Sequence, residues 1–285
     1  MRVTVLEAIQ KSTEFLGKKN VESPRLQTEL LLAHLLQMPR MKLYLNFDRG
    51  LTPAETDALR ELVKRRGQRE PLQHLIGSTS FCGLEIAVNR HALVPRPETE
   101  LLAELGWQFL STINPQPSTA LDFGTGTGCI AIALAVKCPG AQITALDVSA
   151  AALALAAENA AKNNLAGRIE FLQGAGFGAL QETSPFDLIV SNPPYIPSAE
   201  IEILQPEVRD FDPRAALDGG PDGLDFYRLL ATQAQPFLKP AGKIMLEFGD
   251  GQAEAIKKIF SDEKWVVEAV KEDYSQRARI LVARA

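Results

Sequence analysis

From Thr119 onward, apolar runs of strand length alternate with helical runs, and this alternation narrows the fold more than any other feature. TALDFG, AQITALDV, RIEFLQG, FDLIVSN and GKIMLEFG read as strands. TGCIAIALAVKC, SAAALALAAENAAKNN and LDFYRLLATQAQPFL, lying between them, read as helices. Near-continuous apolar strands are what a sheet covered on both faces requires, and strand-helix alternation predicts a doubly wound α/β sheet. QAEAIKKIFS adds a helix, and WVVEAVKED with RILVARA predicts an antiparallel pair that closes a mixed, seven-stranded sheet. Ligands in such sheets bind beyond the carboxyl ends of the strands. The residues at which strands stop are therefore the ones to read for chemistry.

The first 76 residues differ in texture. VLEAIQKSTEFL, SPRLQTELLLAHLLQ and LTPAETDALRELVKRRGQ carry apolar residues at three- and four-residue steps, which predicts a small helical bundle. Ser23 is the expected N-cap of the second helix, with Pro24 at its first position. Thr52, Pro53 and Glu55 predict a capping box on the next. HLIGSTSFCGLEIAVNRHALVP alternates around glycines and predicts a β-hairpin. The expected organisation is a recognition domain over 1–76, a hairpin linker over 77–95 and a catalytic domain over 96–285, whose first helix begins near Glu98.

Charge bounds the partners. Residues 1–75 hold 13 Lys/Arg against 9 Asp/Glu, and the remainder 17 against 26. An acidic catalytic half is a poor match for duplex nucleic acid. Three cysteines and three histidines without metal spacing predict neither a disulfide framework nor a metal site. No apolar run reaches membrane length, and the N-terminus carries charges at helical spacing without a signal-peptide pattern. A cytoplasmic protein is expected.

The first strand stops at LDFGTGTGC, where Asp122 runs into Gly124, Thr125, Gly126, Thr127 and Gly128. This G-x-G-x-G spacing departs from the dinucleotide fingerprint G-x-G-x-x-G, and the loop lacks the Lys-Ser/Thr ending of a phosphate-binding loop. The second strand stops at Asp147, read either as an acceptor for a ribose diol or as a helix N-cap. Glycine loop and acid together describe an adenosine-containing cofactor without pyrophosphate, and S-adenosylmethionine fits best. The third stop, FLQGAGFGAL, offers Gly176 and Phe177 for the adenine, with Phe177 as ordinary core the competing reading. The fourth is Ser191-Asn192-Pro193-Pro194-Tyr195. Two prolines stiffen the turn, so that the Asn192 oxygen and the Pro193 carbonyl converge on one NH2 group. Tyr195 is placed to stack on the planar group that bears it.

LVPRPETE at 93–100, LDFGTGTG at 121–128, SNPPYIP at 191–197 and VRDFDPRAALDGGPDGL at 208–224 together resemble the PrmC/HemK family, the protein-(glutamine-N(5)) methyltransferases of peptide chain release factors. The resemblance implies a class I S-adenosylmethionine-dependent methyltransferase sheet. It implies that Gly124 to Gly128 line the methionine and ribose of the cofactor and that Asp147 binds the ribose diol. It further implies that Asn192 and Pro193 hold the substrate amide, with Asn192 also facing the cofactor and with Pro194, Tyr195 and Arg96 beside the substrate. For Arg96 a salt bridge that seats the following helix competes. Where family members often carry an aromatic residue, this chain has Gly176, which shifts adenine packing toward Phe177. The implied partner is a class I release factor, acted on by a monomer without membrane or direct nucleic-acid binding. The asparagine-proline-proline-tyrosine motif alone is shared with methyltransferases of nucleic-acid base amines, and that reading stays open.

Overall fold

The computed structural model describes residues 2–114, 116–180 and 185–285. They form two compact units. The first runs to Ser78 and includes Gln205–Phe211; the second comprises Thr79–Leu204 and Asp212–Ala285.

Helices α1 (Val5–Lys18), α2 (Pro24–Leu35), α3 (Arg40–Leu43), α4 (Pro53–Gly67) and α5 (Leu72–Ile76) make the first unit around buried Leu16, Leu31, Leu32, Leu43 and Leu51. The capping box on α4 is present, with Thr52 Oγ1 accepting from Glu55 N and Glu55 Oε2 from Thr52 N. Thr4 and Glu7 make a second box on α1. Ser23 does not cap α2. A cap needs extended backbone, and Ser23 sits at φ 46°, so its hydroxyl makes no cap bond. The distant segment Gln205–Phe211 is fastened here by charge. Arg66 Nη2 and Arg69 Nη2 each donate to the Glu207 carboxylate at 2.6 Å.

The second unit opens with hairpin strands β1 (Ser78–Phe81) and β2 (Leu84–Ala87), then α6 (Pro97–Thr112). The alternation follows: β3 (Thr119–Phe123), α7 (Cys129–Lys137), β4 (Gln142–Asp147), α8 (Ala150–Lys162), β5 (Ile169–Gln173) and β6 (Phe186–Ser191). After α9 (Pro206–Arg209, in the segment grouped with the first unit) come α10 (Asp225–Gln233), β7 (Leu238–Glu247), α11 (Ala253–Asp262), β8 (Val266–Glu272) and β9 (Ala278–Arg284). The strand order is β5-β4-β3-β6-β7-β9-β8, and only β9 runs against its neighbours. This is the mixed, doubly wound seven-stranded sheet expected. Successive residues of β6 show why its sequence is apolar throughout. Leu188 enters one core with Leu102 and Leu134, while Ile189 enters the other with Leu230 and Phe260. The β6–β7 ladder passes from Phe186↔Leu238 to Leu188↔Lys243, so Lys239–Gly242 is left out of register. Pro240 lacks the N–H that a central ladder needs.

A fully buried side chain of α8 ties the hairpin to the glycine turn. Asn159 of α8 has no exposed surface. Its Oδ1 accepts from Ala87 N at 2.8 Å, and its Nδ2 donates to the carbonyls of Ala87 and Thr127, both at 3.0 Å. Asn159→Ala leaves these buried groups unmet and should cost roughly 2–4 kcal/mol of stability. Denaturant unfolding of the full chain measures it, and a loss within error of zero would remove Asn159 from this role.

Candidate active site

A cavity of about 410 Å³ lies within the second unit, beyond the carboxyl ends of the central strands. That volume falls in the range of small-molecule sites, roughly 300–1,000 Å³. Its wall includes Gly124, Thr125, Gly126 and Thr127 after β3, Asp147 after β4, Gly176 after β5, and Asn192 and Pro194 after β6. Arg96 and Thr99 at the start of α6 complete it. Nine of the residues read from the sequence as site residues thus share one cavity wall. Gly128, Phe177, Pro193 and Tyr195 are not part of that wall.

Gly124 has φ +76°, and a Cβ built there meets nothing within 4 Å, so the backbone conformation alone calls for glycine. Gly128 serves packing instead. Its added Cβ would lie 2.9 Å from Ala156 Cβ of α8, so a side chain there would clash with that helix.

Asp122 bears on what this turn can bind. It has no exposed surface. Its Oδ2 accepts from the Thr125 hydroxyl at 2.6 Å and from Ala131 N, in the first turn of α7, at 3.1 Å. A helix N-terminus attracts anions through its free N–H groups and its dipole. Here a buried side chain of the protein already takes up Ala131 N, which leaves less of that helix end open to phosphate.

Asp147 is also held by backbone. Oδ2 accepts from Gly126 N at 2.8 Å and Oδ1 from Ser149 N at 2.9 Å. The N-cap of α8 is Ser149, whose hydroxyl accepts from Ala152 N, so the capping alternative for Asp147 fails. Val148 beside it is 58% exposed yet lines the cavity. With Phe226 and Leu229 it supplies apolar wall that the sequence reading missed. The available signal was an apolar residue directly after the acid at a strand end. Phe177 is a correction. It is 3% exposed and stacked between Phe123 and Phe237, with ring centroids 5.1 and 4.9 Å away. It belongs to the core and leaves no face for an adenine.

The turn after β6 is built from both sides. Ser191 Oγ donates to the Phe123 carbonyl at 2.6 Å, joining the ends of β6 and β3. Ile196 N donates to the Leu217 carbonyl and Gly219 N to the Ile196 carbonyl. The DPRAALDGG stretch is thereby a brace for the asparagine-proline-proline-tyrosine turn. Its glycines allow close approach, since a Cβ at Gly219 would sit 2.8 Å from the Pro194 carbonyl. Gln252 holds the other side, donating to the Tyr195 carbonyl at 2.9 Å. Tyr195 is half-buried and packs against the core around Tyr227 and Phe248. Within this frame Asn192 Nδ2 donates to Thr99 Oγ1 at 3.1 Å. Asn192 Oδ1 is buried and has no partner among the described residues. An unmet buried acceptor at a cavity wall calls for a donor on the ligand. Arg96 makes an ion pair with buried Asp212 at 3.0 Å, which ties its loop to the segment bearing Pro213, Ala215 and Ala216 on the opposite wall.

Three carboxyls are pushed up by burial. Asp122 and Glu247 are raised to about 7. Asp212 is raised to about 6, with Arg96 opposing the shift. For Asp122 the native chain keeps a proton that an unfolded chain, with its ordinary value of 3.8, has released. Its contribution to stability therefore falls as pH rises through that window. Asp122→Asn should gain stability relative to the parent between pH 5 and pH 8, on the order of a few kcal/mol. Unfolding at both pH values without cofactor checks this, and a pH-independent difference would contradict it.

The residues fit a ligand with a diol and an apolar part: Asp147, held by two backbone N–H groups, lines the cavity, and Val148, Phe226 and Leu229 supply apolar wall. The family model for the PrmC N-terminal domain matches residues 7–77, and that for the methyltransferase small domain matches 105–205. A release factor glutamine methyltransferase of Geobacter sulfurreducens is 46% identical over 90% of this chain and 88% of its own. One from Chlorobaculum tepidum is 41% identical over 88% of this chain and 87% of its own. The crystal structure of a methyltransferase from Pyrococcus furiosus shares the fold, with a TM-score of 0.52 at 22% identity, over 72% of this chain and 90% of its own. With the site's geometry and these likenesses together, the chain belongs to the release factor glutamine methyltransferase family.

Proposed function

We propose that the protein transfers a methyl group from S-adenosylmethionine to the side-chain amide nitrogen of the glutamine in the Gly-Gly-Gln loop of class I peptide chain release factors. The unpartnered buried oxygen of Asn192 carries this reading, because it asks for an N–H donor beside the glycine loop. The name shared by the curated relatives supports the substrate.

S-adenosylmethionine supplies an electrophilic methyl group on a positively charged sulfur. Gly124 to Thr127 line its methionine and ribose, and Asp147 accepts from the ribose hydroxyls. Val148, Phe226 and Leu229 flank the adenine in the place assigned to Phe177 from sequence. Asn192 Oδ1 and the Pro193 carbonyl each accept one hydrogen of the glutamine NH2. Amide nitrogen is a poor nucleophile because its lone pair is delocalised into the carbonyl. Two acceptors on its hydrogens raise its electron density and hold it in one orientation. As the new N–C bond forms, the methyl–sulfur bond breaks with its electron pair left on sulfur, and the displaced proton, acidic only then, is lost late to water. Pro194 and Tyr195 keep the turn stiff beside the substrate. Arg96, held by Asp212, shapes the wall. Residues 1–76 supply recognition of the release factor, a reading supported by the separate family match of that region. The enzyme acts as a cytoplasmic monomer, without direct binding to nucleic acid or membrane.

Intact-mass measurement on an unmodified release factor, incubated with the protein and S-adenosylmethionine, should show a gain of one methyl group. A release factor with that glutamine replaced should show none. No gain despite confirmed cofactor binding would move the search to nucleic-acid base amines. Asn192→Ala should lower turnover by about ten- to a thousandfold, the scale for losing one oriented polar contact, and parental turnover would refute its role. Asp147→Ala should weaken cofactor binding by roughly ten- to a hundredfold, the value of a charged hydrogen bond. Calorimetry reads that change, and an unaltered affinity would count against the diol assignment.

A further inference from the structure

An amide side chain has two ends of similar shape, and only one of them accepts hydrogen bonds. Asn192 serves the reaction proposed above only while its oxygen faces the substrate. Something must therefore forbid the flipped orientation.

The register of the sheet shows what does. Ser191 of β6 pairs with Leu246 of β7, so the next residues, Asn192 and Glu247, lie at adjacent strand ends. Glu247 is 3% exposed, and its backbone carbonyl is fixed by the Tyr227 hydroxyl at 2.8 Å. The Thr99 and Asn192 side chains lie close enough to its carboxyl to lower its pKa, and its Oε2 is buried with no hydrogen-bond partner among the described residues. We infer that Glu247 is a positioning residue that sets the orientation of the Asn192 amide. This inference rests on Asn192 acting as the acceptor for the substrate amide.

The polarity follows from valence. An ionised carboxylate only accepts, so the inferred arrangement directs the single Thr99 hydroxyl proton at the unmet Glu247 oxygen. The Thr99 oxygen is left to accept, which it does from Asn192 Nδ2. Both amide hydrogens of Asn192 are thus drawn to the Thr99–Glu247 side, and Oδ1 is left at the cavity wall with no partner. In the flipped orientation the Asn192 oxygen would meet an acceptor-only carboxylate, and its NH2 group would meet the substrate NH2. Protonation of Glu247 weakens the bias, because one of its oxygens then becomes a donor. The charged and titratable groups around it are Glu98 of α6, Arg279 of β9 and the phenols of Tyr195 and Tyr227. Burial is the main cause that raises its pKa to about 7.

The test uses the full-length chain with unmodified release factor at saturating S-adenosylmethionine. Glu247→Gln keeps the shape but adds a donor. It should lower kcat roughly ten- to a hundredfold, the scale of a misaligned reacting group, while cofactor affinity stays near parental and Tm does not fall. The parental decline of kcat below about pH 7 should be absent from this variant. Asn192→Asp sets two carboxylates side by side and should be severely impaired. Adding Glu247→Gln to it reverses the polarity of the pair and should recover activity about tenfold over Asn192→Asp alone. Parental kcat with an unchanged acidic limb in Glu247→Gln overturns the inference. So do parallel losses of kcat, Tm and cofactor affinity without recovery in the double variant, which describe a purely structural acid. Thr99→Val removes the connecting hydroxyl and should lower kcat comparably, and parental turnover there overturns the inference even if Glu247→Gln proves unstable. Parental turnover in Asn192→Ala is a different result, because it removes the acceptor reading itself.

Discussion

Asp122, a carboxylate with no exposed surface at the end of the central strand, is the constraint on which the rest of the site depends. Its bonds to Thr125 and to the first turn of α7 fix where the chain turns and where the helix begins. A buried acid is costly, and it is tolerated here because donors converge on it. What the arrangement achieves is a helix N-terminus satisfied from within the protein. One free N–H at the start of α7 is thereby taken up within the protein, and one buried acid sets the geometry of the turn that the cavity is built on.

Strand register then assembles the remaining chemistry. The carboxyl ends of β3, β4, β6 and β7 lie side by side, and parallel pairing holds Asp122 opposite Val190 and Ser191 opposite Leu246. Residues more than fifty positions apart in sequence become neighbours through backbone bonding alone. Because side chains alternate between faces, a slip of one residue would exchange the two cores as well as misplace the site. Catalytic alignment and core packing are therefore specified by the same register, and neither can drift without the other.

Much of this was legible in the sequence because it is local. The strands, the glycine turn, Asp147 and the Asn192 turn each declare themselves within a few residues. What was not legible depended on distant partners. Phe177 looks like a ring available to a ligand until Phe123 and Phe237 enclose it. Gly128 looks like part of the loop until α8 packs against it. Ser23 has the residue type of a cap but a left-handed backbone. Arg96 and Asp212 are joined across a stretch that no spacing rule connects. Glu247 reads as the end of an apolar strand, and only the β6–β7 register shows what it faces. Val148 did carry a local signal, an apolar side chain following the acid at the end of β4.

The segment Gln205–Phe211 has a topological consequence. It follows the Asn192 turn directly, yet it is grouped with the helical unit and is gripped there by Arg66 and Arg69. The polypeptide therefore passes between the two units at three points instead of one. The helical unit is not a detachable module appended to an enzyme. Cutting after Ser78 would strip Glu207 of both its arginine partners and free a strap whose C-terminal end runs into Pro213 of the cavity wall. Any exchange of the helical unit between relatives must carry that strap with it, as one inherited piece.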